Sequence, residues 1–101
     1  MLKVGGIWVS PIEVEDALVS HPAVLEAAVV AKKDEHHLIK PKAYVVLRKD
    51  HQPSEKLSKD IQAFVKKSIA PYKYPRWIEF IKKLPKTTTG KIQRYKLREE
   101  D

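Results

Sequence analysis

Near its end the chain runs Thr87-Thr88-Thr89-Gly90-Lys91, a lysine behind one glycine and three hydroxyl side chains. Glycine lets backbone approach a ligand closely, and a lysine ammonium is a compact point charge with three donors. Such a loop suits gripping a phosphate or a carboxylate, although the same composition describes an exposed surface loop. A triphosphatase phosphate loop needs glycine five residues before the second glycine and Ser or Thr after the lysine. Those positions hold Pro85 and Ile92, so that chemistry is excluded. Ala70-Pro71-Tyr72-Lys73-Tyr74-Pro75-Arg76 interleaves rings and cations, types that stack on a base and hold phosphates, or that pack a loop on a core. The four histidines, 21, 36, 37 and 51, lack metal-ligand spacing, so no metal site is expected and solvated turn histidines are the default. None of Ser10, Ser20, Ser54, Ser58 and Ser68 sits in a nucleophile elbow, and there is no cysteine to act as nucleophile or ligand.

The net charge of +7 comes from 20 basic against 13 acidic side chains, and its placement says more than its size. Residues 1–50 balance, so the whole excess sits in residues 51–101. Between Lys66 and Arg98 the only acid is Glu79. That block is a candidate polyanion-binding face, or a solvated basic surface. A length of 101 residues with 43% hydrophobic allows one domain with a small core. The longest apolar run, Ala27 to Ala31, is far too short for a membrane span or a signal segment. A soluble, cytoplasmic chain with no membrane partner is expected.

These residues need a scaffold, and the hydrophobic pattern predicts one. Met1 to Val9 is extended and broken by Gly5-Gly6, a pair suited to a tight turn or to close backbone approach. Ser10-Pro11-Ile12-Glu13 predicts a helix start, with Ser10 capping and Glu13 completing a capping box. Val14, Ala17 and Leu18 then share a face until His21-Pro22. Val24 to Ala31 predicts a strand, Lys32 to His37 a charged turn, and Lys42 to Arg48 a second strand, antiparallel to the first. Pro53-Ser54 opens another helix, whose Leu57, Ile61, Phe64, Val65 and Ile69 fall at helical spacing until Ala70-Pro71. Trp77 to Ile81 predicts a third strand. Pro85 to Gly90 is predicted to be a flexible, irregular loop, and Gln93 to Glu100 a short terminal helix. The expected class is α+β: a small three-stranded sheet with helices packed on it, plus a short N-terminal hairpin.

Three segments together resemble the C-terminal domain of the adenylate-forming enzymes, which include acyl- and aryl-CoA synthetases, peptide-synthetase adenylation domains and luciferases. The first is Leu2 to Glu15, where glycines precede Ile12-Glu13-Val14-Glu15. The second is Ala70 to Arg76. The third is Leu84-Pro85-Lys86-Thr87-Thr88-Thr89-Gly90-Lys91-Ile92. Order and spacing match over essentially the whole chain. Within the family, Ala70 to Phe80 and Lys91 to Arg98 look most like benzoate-CoA ligases and related aryl- or medium-chain acyl-CoA ligases.

The resemblance implies a two-step reaction. A carboxylate and MgATP give an acyl-adenylate and pyrophosphate, and the CoA thiol then displaces AMP. Lys91 matches the family's catalytic lysine, which reaches the carboxylate and the α-phosphate. Gly5 and Gly6 match the glycine motif that borders the pantetheine tunnel once the small domain has rotated. Lys66, Tyr74, Pro75 and Arg76 fall where related ligases hold the CoA nucleotide, and His37 and Lys40 lie near another CoA-contacting loop. The chain, 1–101, is then expected to be a lid whose partner is its own N-terminal domain. That domain would carry the acid pocket and most contacts to ATP and Mg2+. Trp8 stands where some relatives have arginine, so no substrate contact is carried over there. An acetyltransferase acting on Lys91 is a further implied partner. The rival readings are a basic nucleic-acid module and a standalone protein-interaction module. The nucleic-acid reading predicts aromatics clustered on a sheet face, whereas only Tyr44, Trp77 and Phe80 fall in predicted strands, so no nucleic-acid partner is expected.

Overall fold

The structure is a computed structural model that describes residues 2–4 and 7–98. Strand β1 (Leu2–Val4) pairs antiparallel with β2 (Ile7–Val9), and helix α1 (Pro11–Val19) follows. β3 (Val24–Lys33) and β4 (Ile39–Leu47) form an antiparallel ladder. Helix α2 (Glu55–Ser68) then crosses over, and β5 (Trp77–Phe80) returns parallel to β4. A parallel neighbour needs a long crossover, which the 14-residue α2 supplies. The sheet order is β3-β4-β5, and α3 (Arg94–Arg98) comes last. The class, the three-stranded sheet and the N-terminal hairpin are those expected from the sequence.

Both faces of the sheet are covered, which is why Val24 to Ala31 reads as a nearly unbroken apolar run. Ala27, Val29, Ala43 and Val45 pack with Val14 and Leu18 of α1 and Ile61 and Val65 of α2. Leu18, Ile61 and Val65 are fully buried, and each contributes about 1.5–3 kcal/mol by leaving water. On the opposite face, Ala28, Val30, Tyr44 and Val46 pack with Leu84 and Leu97. The Tyr44 hydroxyl is buried there and donates to the Leu97 carbonyl at 3.3 Å. The apolar pattern alone gives 82–92 no core role, yet Leu84 from that stretch is fully buried.

Local signals at the helix starts met different fates. Ser54 caps α2, accepting from the Leu57 N–H at 3.0 Å. The capping box expected at Ser10 does not form: the Ser10 side chain makes no cap. Glu13 instead accepts from Lys73 Nζ at 2.7 Å, a partner 60 positions away. A charged donor outcompetes a terminal N–H that water can also satisfy. This bond to Glu13 holds the Lys73 pKa above its ordinary value, against the opposing pull of burial. His21 also departs from expectation, being buried rather than solvated. Its Nδ1 accepts from the Ala23 N–H at 3.0 Å, leaving the proton on Nε2 to donate to Asp60 of α2 at 2.7 Å.

Lys32 and Lys33 extend β3, so the turn begins at Asp34 rather than Lys32. Asp34 Oδ1 accepts from the N–H groups of His36 (2.8 Å) and Leu38 (3.0 Å), while His37 adopts a positive φ of 62°. Burial pushes the Asp34 carboxyl up, but the Leu38 and His36 bonds outweigh it and its pKa lies below the ordinary carboxylate value. Its contribution to stability is therefore present above the unfolded pKa and lost as pH falls through the folded one. Asp34→Asn keeps one acceptor but cannot ionise. It is expected to flatten the loss of stability between neutral pH and about pH 3. Thermal melts across that range check this, and an unchanged acid slope would contradict it.

Candidate functional site

Lys86 and Ile92 form an antiparallel bridge. Between them the Gly90 N–H donates to the Thr87 carbonyl, and the Thr87 N–H to the Lys91 carbonyl, both at 2.9 Å. Gly90 sits at φ +87°, the left-handed position of a three-residue hairpin loop closed by a bulge. Thr87 Oγ1 accepts from the Lys91 N–H at 3.1 Å and lies 2.9 Å from Thr89 Oγ1. As expected, Pro85 to Gly90 holds no helix or strand, but a single bridge and its turn bonds make it an ordered hairpin loop, because Gly90 permits the turn and the threonine hydroxyls serve it. Lys91 is exposed, and its ammonium makes no ion pair among the described residues. A Cβ at position 90 would meet nothing within 4 Å. Gly90→Ala is therefore expected to cost only the backbone strain, about 1 kcal/mol, in a denaturant melt.

Two carboxylates anchor the arms of this hairpin. Lys86 pairs with Glu26 at the start of β3. Arg94, three residues past Lys91, pairs with Glu15 of α1 through Nη2 and donates from Nε to Glu15 Oε2 at 2.8 Å. The same Oε2 accepts from the Val29 N–H at 2.8 Å, on the open edge of β3. The bond to Glu15 raises the Arg94 pKa above its ordinary value. Sequence reasoning assigns neither pair. The one available signal is helical spacing: residues two apart on α1 point to different sides, so Glu13 and Glu15 cannot share a role.

The candidate nucleotide-holding residues meet at another place. Lys66, in the last turn of α2, sets its ammonium 4.2 Å from the Tyr74 ring centroid. Pro75 is fully buried, and Gln62 donates to the carbonyls of Pro75 (2.9 Å) and Arg76 (3.0 Å), fixing the backbone between Tyr74 and Arg76. The Arg76 guanidinium lies 5.9 Å from the Trp77 ring and 3.9 Å from Glu35 of the β3–β4 turn. The Arg76 backbone N–H donates to the Pro41 carbonyl at 2.9 Å. Lys66, Tyr74, Pro75 and Arg76 are thus brought together. His37 and Lys40 lie on the neighbouring turn and the start of β4, with no hydrogen bond or ion pair to that cluster among the described residues. Pro41 pairs with Ala31, five residues along β3 from Glu26, so the two anchorage points are roughly 17 Å apart along the strand. Gly5 and Gly6 lie outside the described residues.

A groove of about 560 Å³ is lined by Lys3, Trp8, Ile12, Val30, Ile39 and Arg94 among others, and so touches the Arg94 anchor but none of Lys66, Tyr74, Pro75 and Arg76. Trp8 is 61% exposed at its rim, with the Lys3 ammonium 5.5 Å from its ring. Tyr44 is buried, and Trp77 and Phe80 point to opposite faces of β5, so the three strand aromatics share no open platform. Among the described residues no group of three or more His, Cys, Asp or Glu could hold a metal ion. No described helix is long and apolar enough to cross a membrane.

The AMP-binding enzyme C-terminal domain matches residues 13–91. A benzoate–CoA ligase of Thauera aromatica is 66% identical over 97% of this chain and 19% of its own length. A 4-hydroxybenzoate–CoA/benzoate–CoA ligase of Rhodopseudomonas palustris is 54% identical over 98% of this chain and 19% of its own. The crystal structure of the anthranilate CoA ligase AuaEII with anthranoyl-AMP superposes with a TM-score of 0.93 at 57% identity, covering 99% of this chain and 19% of that one. The chain therefore spans about a fifth of the length of these relatives. The match runs from Glu13 in α1 to Lys91 on the hairpin, through the whole sheet, and the chain belongs to the AMP-binding enzyme C-terminal domain family.

Proposed function

We propose that this chain, residues 1–101, is the C-terminal lid of an ATP-dependent, AMP-forming carboxylate–CoA ligase acting on benzoate or a related aromatic acid. The observation that carries this reading is Lys91, exposed on a hairpin whose backbone bonds close within itself. The similarity to ligases of benzoate and 4-hydroxybenzoate supports the acid class.

In the first half-reaction a carboxylate oxygen attacks the α-phosphorus of ATP, and pyrophosphate leaves with the bonding electrons. Both reactants are anionic. The Lys91 ammonium, touching carboxylate and α-phosphate together, aligns them and offsets charge in the transition state. ATP and Mg2+ would be held mainly by the N-terminal domain, where the metal ion would neutralise phosphate charge. In the second half-reaction the lid turns. Lys66 and Arg76 then offer cations, and Tyr74 a ring, to the CoA nucleotide. Pro75 sets the backbone between them. Gly5 and Gly6 would border the pantetheine path, where the thiol attacks the acyl carbon and AMP departs. We place the ligase in the cytoplasm, a compartment that supplies both ATP and CoA. The exposure of Lys91 supports its access to a protein acetyltransferase, which would abolish the charge the first step requires.

The reading is tested on the full-length protein that carries this chain. With benzoate, MgATP and CoA it is expected to yield the thioester, AMP and pyrophosphate, while the 101-residue chain alone yields none. Thioester formation by the chain alone, or none by the full-length protein across aromatic and medium-chain acids, would overturn it.

A further inference from the structure

We propose that Glu15 is a positioning residue for Lys91, acting through Arg94. The inference rests on the adenylation role proposed above for Lys91. Glu15 is 7% exposed, and its carboxylate joins three elements: it belongs to α1, takes an edge N–H of β3 at Val29, and holds Arg94 by two bonds. Arg94 lies three residues beyond Lys91, about 10 Å of chain at most. The other arm is held by Lys86 and Glu26, a pair whose side chains are each about one-third exposed. Leu84 and Ile92 seat the base of the hairpin on the sheet by apolar packing, which is non-directional. Among the described residues, the Lys86–Glu26 pair is then the one polar contact that orients this arm. A second, forked contact on the opposite arm, made to the shielded Glu15 carboxylate, restricts the tilt of the hairpin, since an Arg–carboxylate fork fixes orientation as well as distance. The remaining bonds of the hairpin, Thr87 with Lys91 and Gln93 with Pro85, run between its own arms and do not orient it on the sheet. Loss of the Glu15 fork would let the arm tilt, and a misplacement of about 1 Å at a reacting group costs as much as roughly 100-fold in rate.

The test uses the full-length ligase and measures its half-reactions separately. Glu15→Gln keeps the shape and an acceptor for Val29 but loses the charge, and Arg94→Lys keeps the charge but loses the fork. Each is expected to slow pyrophosphate release roughly 10- to 100-fold, with thioester formation from supplied benzoyl-adenylate within about 2-fold of native. In a Lys91→Ala background, Glu15→Gln is expected to add less than about 2-fold, because its effect travels through the missing ammonium. If Glu15→Gln fails to fold, Arg94→Lys carries the same two measurements. Parallel loss in both half-reactions with a lower melting temperature, or multiplied losses in the double variant, would overturn the inference and leave Glu15 structural. Intact adenylation in Lys91→Ala alone would instead overturn the reading on which the inference rests.

Discussion

Lys91→Ala in the full-length ligase is expected to slow adenylation roughly 100-fold or more, comparable to removing one well-placed donor to a transition-state charge. Thioester formation from preformed acyl-adenylate is expected to survive, since the proposed rotation carries the hairpin away before CoA reacts. The fold has little to lose by the change: the Lys91 side chain is exposed, and only its backbone N–H and carbonyl serve the turn. An unchanged melting temperature together with a selective loss of pyrophosphate release would therefore report chemistry rather than damage. Equal losses in both half-reactions would refute the division of labour.

Lys66→Glu is expected to do the reverse, raising the KM for CoA roughly 100-fold and leaving adenylation within about 2-fold of native. A charge-assisted contact to phosphate is worth about 1.5–3 kcal/mol, and an introduced carboxylate adds repulsion to that loss. Lys66 is exposed on the last turn of α2, so the fold should tolerate the change at a cost of about 0.5 kcal/mol to the helix dipole. The native KM for CoA should rise with added salt, and the variant should lose most of that dependence. A KM unaffected by the substitution would remove Lys66, and the ring it sits over at Tyr74, from the CoA face.

The elements that could be read from the sequence are those whose cause is local. Leu57, Ile61 and Val65 announce α2 because helical spacing puts them on one side, and Ser54 caps it through a hydroxyl three residues from its donor. What was hidden is held by pairs distant along the chain. Glu13 looks like a capping-box acid until Lys73 is brought beside it, and Glu15 looks like a surface acid until Arg94 arrives from 79 positions away. The parallel return of β5 follows from the α2 crossover, which strand composition does not encode. The hairpin under Lys91 was obscured for a different reason. Threonines and proline suggest disorder by type, while the bonds that order them depend on which hydroxyl faces which N–H. At the site itself, Lys91 and the cluster of Lys66, Tyr74, Pro75 and Arg76 were legible as residue types in motifs. The carboxylates that pair with their neighbours, Glu26 with Lys86 and Glu15 with Arg94, were not.

Because the amides of Thr87, Gly90 and Lys91 all find acceptors between Thr87 and Lys91, the hairpin takes its own hydrogen bonds wherever it goes. Leaving one domain surface for another would strand none of these three amides. The two orientations of such a lid can lie close in free energy, with neither built into the polypeptide as a ground state. Occupancy then passes to whichever ligand favours one arrangement, and a differential affinity of about 5.5 kcal/mol carries it from nearly all of one to nearly all of the other. The lid would follow the progress of the reaction with no spring of its own.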